Sequence, residues 1–161
     1  MSELTNELFS LVDCLTAAGI DYAVCGGLAV ALHGYPRATR DIDLLIDRNS
    51  LEPAKAAIES LGYIIPSGII PSGIIPFASG TAQAREVFRV SRILNNELFT
   101  LDLLLVTPVL HDVWASKEVL HLPDRKICVV SRTGLAKMKQ LAGRLRDLAD
   151  LEELGLLEEK P

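Results

Sequence analysis

The chain has 161 residues, 49% of them apolar but only 5% aromatic, and a formal net charge of −5. That length suits one domain whose core is aliphatic, built from Leu, Ile, Val and Ala. The negative charge excludes an extended surface that coats nucleic acid, although not a local contact with a nucleotide or an RNA.

Between residues 3 and 18 the apolar side chains Leu4, Leu8, Leu11, Val12 and Leu15 recur at helical spacing, and Gly19 follows as a stop. Tyr22 to Cys25 reads as a short strand running into Gly26-Gly27, then Leu28 to His33 as a helix ended by Gly34. Asp41 to Asp47 is expected as a strand and Leu51 to Leu61 as a helix with Gly62 behind it. Ile64-Ile65-Pro66-Ser67-Gly68 is then repeated as Ile69-Ile70-Pro71-Ser72-Gly73, and Ile74-Ile75-Pro76 begins a third copy. A Pro and a Gly in every copy exclude a helix or a central strand, which leaves an extended loop or an edge ribbon. Glu86 to Ile93 and Leu98 to Val106 form an expected antiparallel pair around Asn95-Asn96, and 119–122 with 127–130 a second hairpin. Ser131 is placed to cap a helix through Leu141, with Arg144 to Leu154 helical again. No stretch reaches the roughly 18 uninterrupted apolar residues of a membrane helix. The polar start lacks a signal-peptide pattern. Cys14, Cys25 and Cys128, like the three histidines, show no metal-ligand spacing. A soluble cytoplasmic protein with reduced thiols and no membrane partner is expected.

The chemistry concentrates in two strands. Asp41-Ile42-Asp43-Leu44 places two carboxylates on one face, roughly 7 Å apart between Cα atoms, with Ile42, Leu44 and Ile46 turned the other way. Such a pair repels itself unless a cation sits between its members, and Mg²⁺ prefers one or two carboxylates completed by substrate phosphates. Asp102 is the only charged residue in the apolar run 98–106, where a lone carboxylate costs several kcal/mol unless paired with a cation. Its plainer explanation is a buried ion pair with Arg40, Arg89 or Arg144. Gly26-Gly27 lies at a strand-to-helix junction, with thirteen residues between it and Asp41, where glycine lets backbone amides approach a phosphate.

Gly26-Gly27, Asp41-x-Asp43 and a later-strand Asp102 together resemble the nucleotidyltransferase superfamily, the polymerase-β-like fold. The stretches 26–34 and 37–43 look most like its AbiEii-type branch of minimal nucleotidyltransferases, which includes toxins of toxin–antitoxin systems, and 139–150 resembles that branch's C-terminal lysine and Arg-x-x-Asp helix. Gly27 stands where the wider superfamily has serine.

The resemblance implies a mixed α/β (α+β) fold, a nucleotidyltransferase-type sheet with flanking helices and a C-terminal helical segment. It implies one domain over residues 1–161, with its core at about 20–130 and C-terminal helices over 131–155. It also implies transfer of a nucleoside monophosphate from a nucleoside triphosphate to an unidentified hydroxyl on RNA, protein or a small molecule. Asp41, Asp43 and Asp102 would be the catalytic and metal-binding residues, with Mg²⁺ or Mn²⁺ in two positions. Gly26, Gly27, Arg37, Thr39, Arg40, Lys139 and Arg144 would contact the nucleotide, and an antitoxin protein is an implied partner. The rival expectations are a non-catalytic nucleotide- or partner-binding module on the same fold and a nucleotide-sugar glycosyltransferase. The latter needs a nucleotide-binding half ahead of Asp-x-Asp, for which about 40 residues are too few.

Overall fold

The computed structural model describes residues 2–36, 38–66, 73–77, 84–143, 149–152 and 154–155. Its frame is a seven-stranded mixed sheet in the order β3-β4-β5-β2-β1-β7-β6. The strands are β1 (Ala23–Cys25), β2 (Asp41–Ile46), β3 (Ile75–Phe77), β4 (Arg85–Leu94), β5 (Glu97–Leu105), β6 (Glu118–His121) and β7 (Lys126–Val129). β1 runs antiparallel to β2, whereas β2 and β5 pair in parallel at the centre of the sheet. These central strands are the most apolar of the chain: Ile42, Leu44, Leu45, Ile46, Leu101 and Leu103 are wholly buried.

Helix α1 (Glu3–Ala17) follows the apolar stripe read from the sequence, with the Ser2 hydroxyl accepting from the Thr5 amide as its cap. It packs against α3 (Leu51–Glu59). Helix α2 (Gly26–Leu32) begins two residues earlier than expected, directly on the paired glycines. Helices α4 (His111–Ala115) and α5 (Arg132–Ala142) pack together, and α5 carries the expected Ser131 cap. The short α4 was not legible because five residues carry no helical period. The β4–β5 hairpin turns at Asn95 and Asn96, both with positive φ (53° and 64°), the conformation that a two-residue type I′ turn requires. β3 is the described end of the Ile-Ile-Pro-Ser-Gly repeat. It is an edge strand, where the missing amide of Pro76 breaks no ladder. Residues 67–72 of the repeat lie outside the described residues, as does the start of the expected helix at 144–154, of which 149–152 are helical.

Glu7 interrupts the apolar face of α1 and is buried. It receives Arg92 Nη2 at 2.7 and 2.6 Å and the Tyr63 hydroxyl at 3.1 Å, while Arg92 Nη1 also donates to the Leu61 carbonyl. This network ties α1 and the turn after α3 to β4. Burial, reinforced by the Glu7 charge, pushes the Tyr63 hydroxyl above its ordinary range, and burial does the same for Tyr22. A group whose pKa is raised on folding stabilises fully below its unfolded value, here about 10, and loses that contribution as pH rises beyond it. Thermal melting between pH 8 and 11 is therefore expected to fall steeply above pH ~10, and less steeply in Tyr63→Phe. Parallel curves for the two proteins would refute this assignment.

Candidate active site

The parallel register pairs Asp43 with Asp102 and Asp41 with Thr100, while β1 places Cys25 beside Asp43 on the other side. Residues in register on adjacent strands share a face, so the three carboxylates expected from the sequence stand on one side of the sheet. They open into one cavity of about 170 Å³, together with Cys25, Gly26 and Lys139. This convergence comes from two strands that are distant in the chain.

Gly26 explains itself here. Its φ is +67°, and a Cβ built on it would lie 2.1 Å from Asp43 Oδ2. Only glycine combines that left-handed backbone with room for the Asp43 carboxylate. Gly27 is equally tight, since its Cβ would lie 2.8 Å from Thr39 Oγ1. Thr39 thus packs on Gly27, with its hydroxyl 3.5 Å from the Asp41 carbonyl, and braces the turn into β2. Cys25 is buried beneath the acids. Desolvation first, and then the charge of Asp43, raise its thiol well above the usual range, which keeps it protonated and inert.

Asp102 is 7% exposed and is gripped by Arg89 from β4, its register partner. Arg89 Nε donates to Oδ1 at 2.7 Å and Nη2 to Oδ2 at 2.9 Å, a fork-to-fork ion pair. These hydrogen bonds, followed by the Asp102 charge, raise the Arg89 pKa, with smaller contributions from Asp41 and Asp43. The ion-pair explanation of Asp102 is therefore correct as to its partner, and Arg89 is the one of the three candidate arginines. The pair nevertheless lies inside the cavity that holds the other two acids.

Asp41 and Asp43 present hard oxygen donors on one face, and the absent side chain of Gly26 leaves space at Asp43. That donor set fits a magnesium ion whose remaining ligands are phosphate oxygens and water. Among the described residues, no three or more His, Cys, Asp or Glu side chains are grouped to hold a metal ion by themselves. The engagement of both Asp102 oxygens by Arg89 is consistent with this.

Of the expected nucleotide contacts, Lys139 enters the cavity from α5, buried and 2.7 Å from Asp150 Oδ2. Among the described residues Gly27, Thr39 and Arg40 do not line it, and Arg40 is exposed on the loop before β2. Arg37 and Arg144 lie outside the described residues. Sequence reasoning did not place Arg85 in the cavity wall or Asp150 behind Lys139, and it named Arg89 only as one of three possible partners of Asp102. The even spacing of Arg85 and Arg89 along β4 was the available signal, because it puts both on one face.

Residues 7–78 match the family model described as aminoglycoside-2''-adenylyltransferase. That stretch, shorter than half the chain, contains Gly26-Gly27 and Asp41-x-Asp43 and ends before β5. Three solved structures share the architecture. TM1012 of Thermotoga maritima, which carries a provisional nucleotidyltransferase description, superposes with a TM-score of 0.61 at 16% identity, covering 94% of this chain and 91% of its own. ANT(2'')-Ia, solved with adenylyl-2''-tobramycin, gives 0.58 at 13% identity, covering 97% and 87%. The lincosamide antibiotic adenylyltransferase LnuA, solved with lincomycin, gives 0.54 at 17% identity, covering 98% and 99%. No curated protein matches the sequence significantly. The chain has the nucleotidyltransferase fold, as the resemblance implied.

Proposed function

We propose that this chain is a magnesium-dependent nucleotidyltransferase that moves a nucleoside monophosphate from a nucleoside triphosphate to the hydroxyl of a small molecule. The observation that carries the reading is the meeting of Asp41, Asp43 and Asp102 in one cavity beside the left-handed Gly26. Asp41 and Asp43 hold the divalent ion, which neutralises triphosphate oxygens when bound. Gly26, at the start of α2, and Lys139 line the same cavity and are assigned to the triphosphate, Lys139 adding positive charge. Arg37, Arg40 and Arg144 are assigned to the same triphosphate.

A bond forms between the acceptor oxygen and the α-phosphorus while the bond from that phosphorus to the pyrophosphate oxygen breaks. Asp102 takes the acceptor proton, since each carboxylate oxygen keeps a lone pair when the other is used by Arg89. Arg89 supplies a fixed positive charge beside the acids. The arrangement therefore favours one ion at Asp41 and Asp43 over the two implied by the resemblance.

The family match and the neighbours' acceptors support a small molecule. An antitoxin-linked role, implied by the AbiEii-type resemblance, would regain weight from an adjacent gene for a helix-turn-helix protein. Calorimetric titration of ATP with and without Mg²⁺, followed by label transfer from α-³²P-ATP, tests the proposal. Magnesium-dependent binding is expected, and its absence rejects the reading, including the non-catalytic nucleotide-binding alternative.

A further inference from the structure

The walls of the cavity differ sharply in character. Beside the acids stand the cations Arg85, Arg89 and Lys139, whereas the remaining surface is apolar, with Phe77, Val87, Leu104, Val109, Leu110 and Met138. Among the described lining residues, no carboxylate exists beyond Asp41, Asp43 and Asp102. Asp102 is neutralised by Arg89, and the nearby Asp150 is paired with Lys139. The sequence between Ile64 and Ala84 contains no charged residue, and its described end supplies Phe77 and Ala84 to the wall. The whole cavity measures about 170 Å³, so its apolar part has room for no more than one ring-sized group, an apolar cavity of about 150 Å³ being enough for benzene.

A polycationic aminosugar needs carboxylates to meet its ammonium groups. Here Arg89 and Lys139 are each matched by a carboxylate, so beyond the two acids assigned to the ion it would meet Arg85 and an apolar wall. We infer that the acceptor is a hydroxyl compound with an uncharged, ring-sized apolar body, and that the chain discriminates against polycations although its family match is to aminoglycoside adenylyltransferases. The inference rests on the nucleotidyltransferase reading for the reaction, but on the cavity wall alone for the choice of ligand.

Phenyl β-D-glucopyranoside, uncharged and carrying a ring, and tobramycin, a polycation, are suitable probes. Each is titrated into the full chain by calorimetry at physiological ionic strength, with and without Mg²⁺ and a non-hydrolysable ATP analogue. The glucoside is expected to bind at least about tenfold more tightly than tobramycin and to remain bound beside the analogue. Val109→Glu adds a carboxylate at a partly exposed wall position and is expected to strengthen tobramycin binding about tenfold while weakening the glucoside. Tighter binding of tobramycin to the unaltered chain overturns the inference, as do binding of neither compound and indifference to Val109→Glu. Displacement of the glucoside by the analogue also overturns it, by giving the apolar wall to the nucleobase. Loss of analogue binding with the glucoside preference intact overturns instead the nucleotidyltransferase reading.

Discussion

Asp43→Asn is expected to abolish magnesium-dependent ATP binding without lowering the melting temperature. Asparagine keeps the shape that fits against Gly26 but removes one of the two anionic oxygen donors from β2. Loss of an outer partner of a metal ligand already costs about 10–100-fold in affinity or activity, and loss of the ligand itself should exceed that range. Stability should hold or rise, because the substitution relieves repulsion between Asp41 and Asp43. Titration of ATP at fixed Mg²⁺ alongside thermal melting reads both effects. Unchanged affinity would reject the metal assignment, and unfolding would make Asp43 a structural residue.

The second large effect concerns the Arg89–Asp102 pair, and it separates two roles for Asp102. If Asp102 accepts the acceptor proton, Asp102→Asn stops turnover, about 10²–10⁴-fold, while ATP and Mg²⁺ still bind. If it is a metal ligand, as the resemblance implies, Asp102→Asn loses binding together with turnover, as Asp43→Asn does. The fold should survive: Arg89 has half of its side chain exposed and can be solvated without its partner. The stability loss should therefore be about 1–3 kcal/mol, below that of a fully buried pair. Arg89→Met leaves Asp102 the uncompensated group and should cost more stability than Asp102→Asn. A double-mutant cycle on melting free energy, with single-turnover label transfer on Asp102→Asn, measures both. Unfolding of Asp102→Asn would reduce the pair to a structural device.

The sequence foretold the parts of this arrangement that depend on short-range pattern. The β4–β5 hairpin was legible from Asn95-Asn96, the start of α5 from Ser131, and the common face of Asp41 and Asp43 from strand alternation. The meeting of Asp102 with those acids was not readable from local pattern, since register between distant strands is a tertiary property; only the resemblance carried it. For the same reason, Arg89 could not be singled out among three candidate arginines. Glu7, Tyr63 and Arg92 illustrate the limit further. Each is polar in an apolar setting, and only their convergence across three elements explains why Glu7 interrupts the stripe of α1. The paired glycines were read as a phosphate-approach turn, whereas the structure adds a steric reason at Gly26, the nearness of Asp43. Where Lys139 was read as a nucleotide contact, its partner Asp150 lay within the 139–150 stretch of the resemblance but was given no role.

The parallel pairing of β2 with β5 joins positions separated by more than a third of the chain. Such a ladder closes only after the intervening hairpin and crossover are in place, so the acid cluster should be among the last features to assemble during folding. A ribosome-bound or truncated chain ending before β5 would carry the glycines, two of the acids and Arg89 yet lack Asp102, the third acid. Catalytic competence in this architecture is thus a certificate of finished folding, and a ligand gripping the completed cluster would draw stragglers toward the native state by mass action.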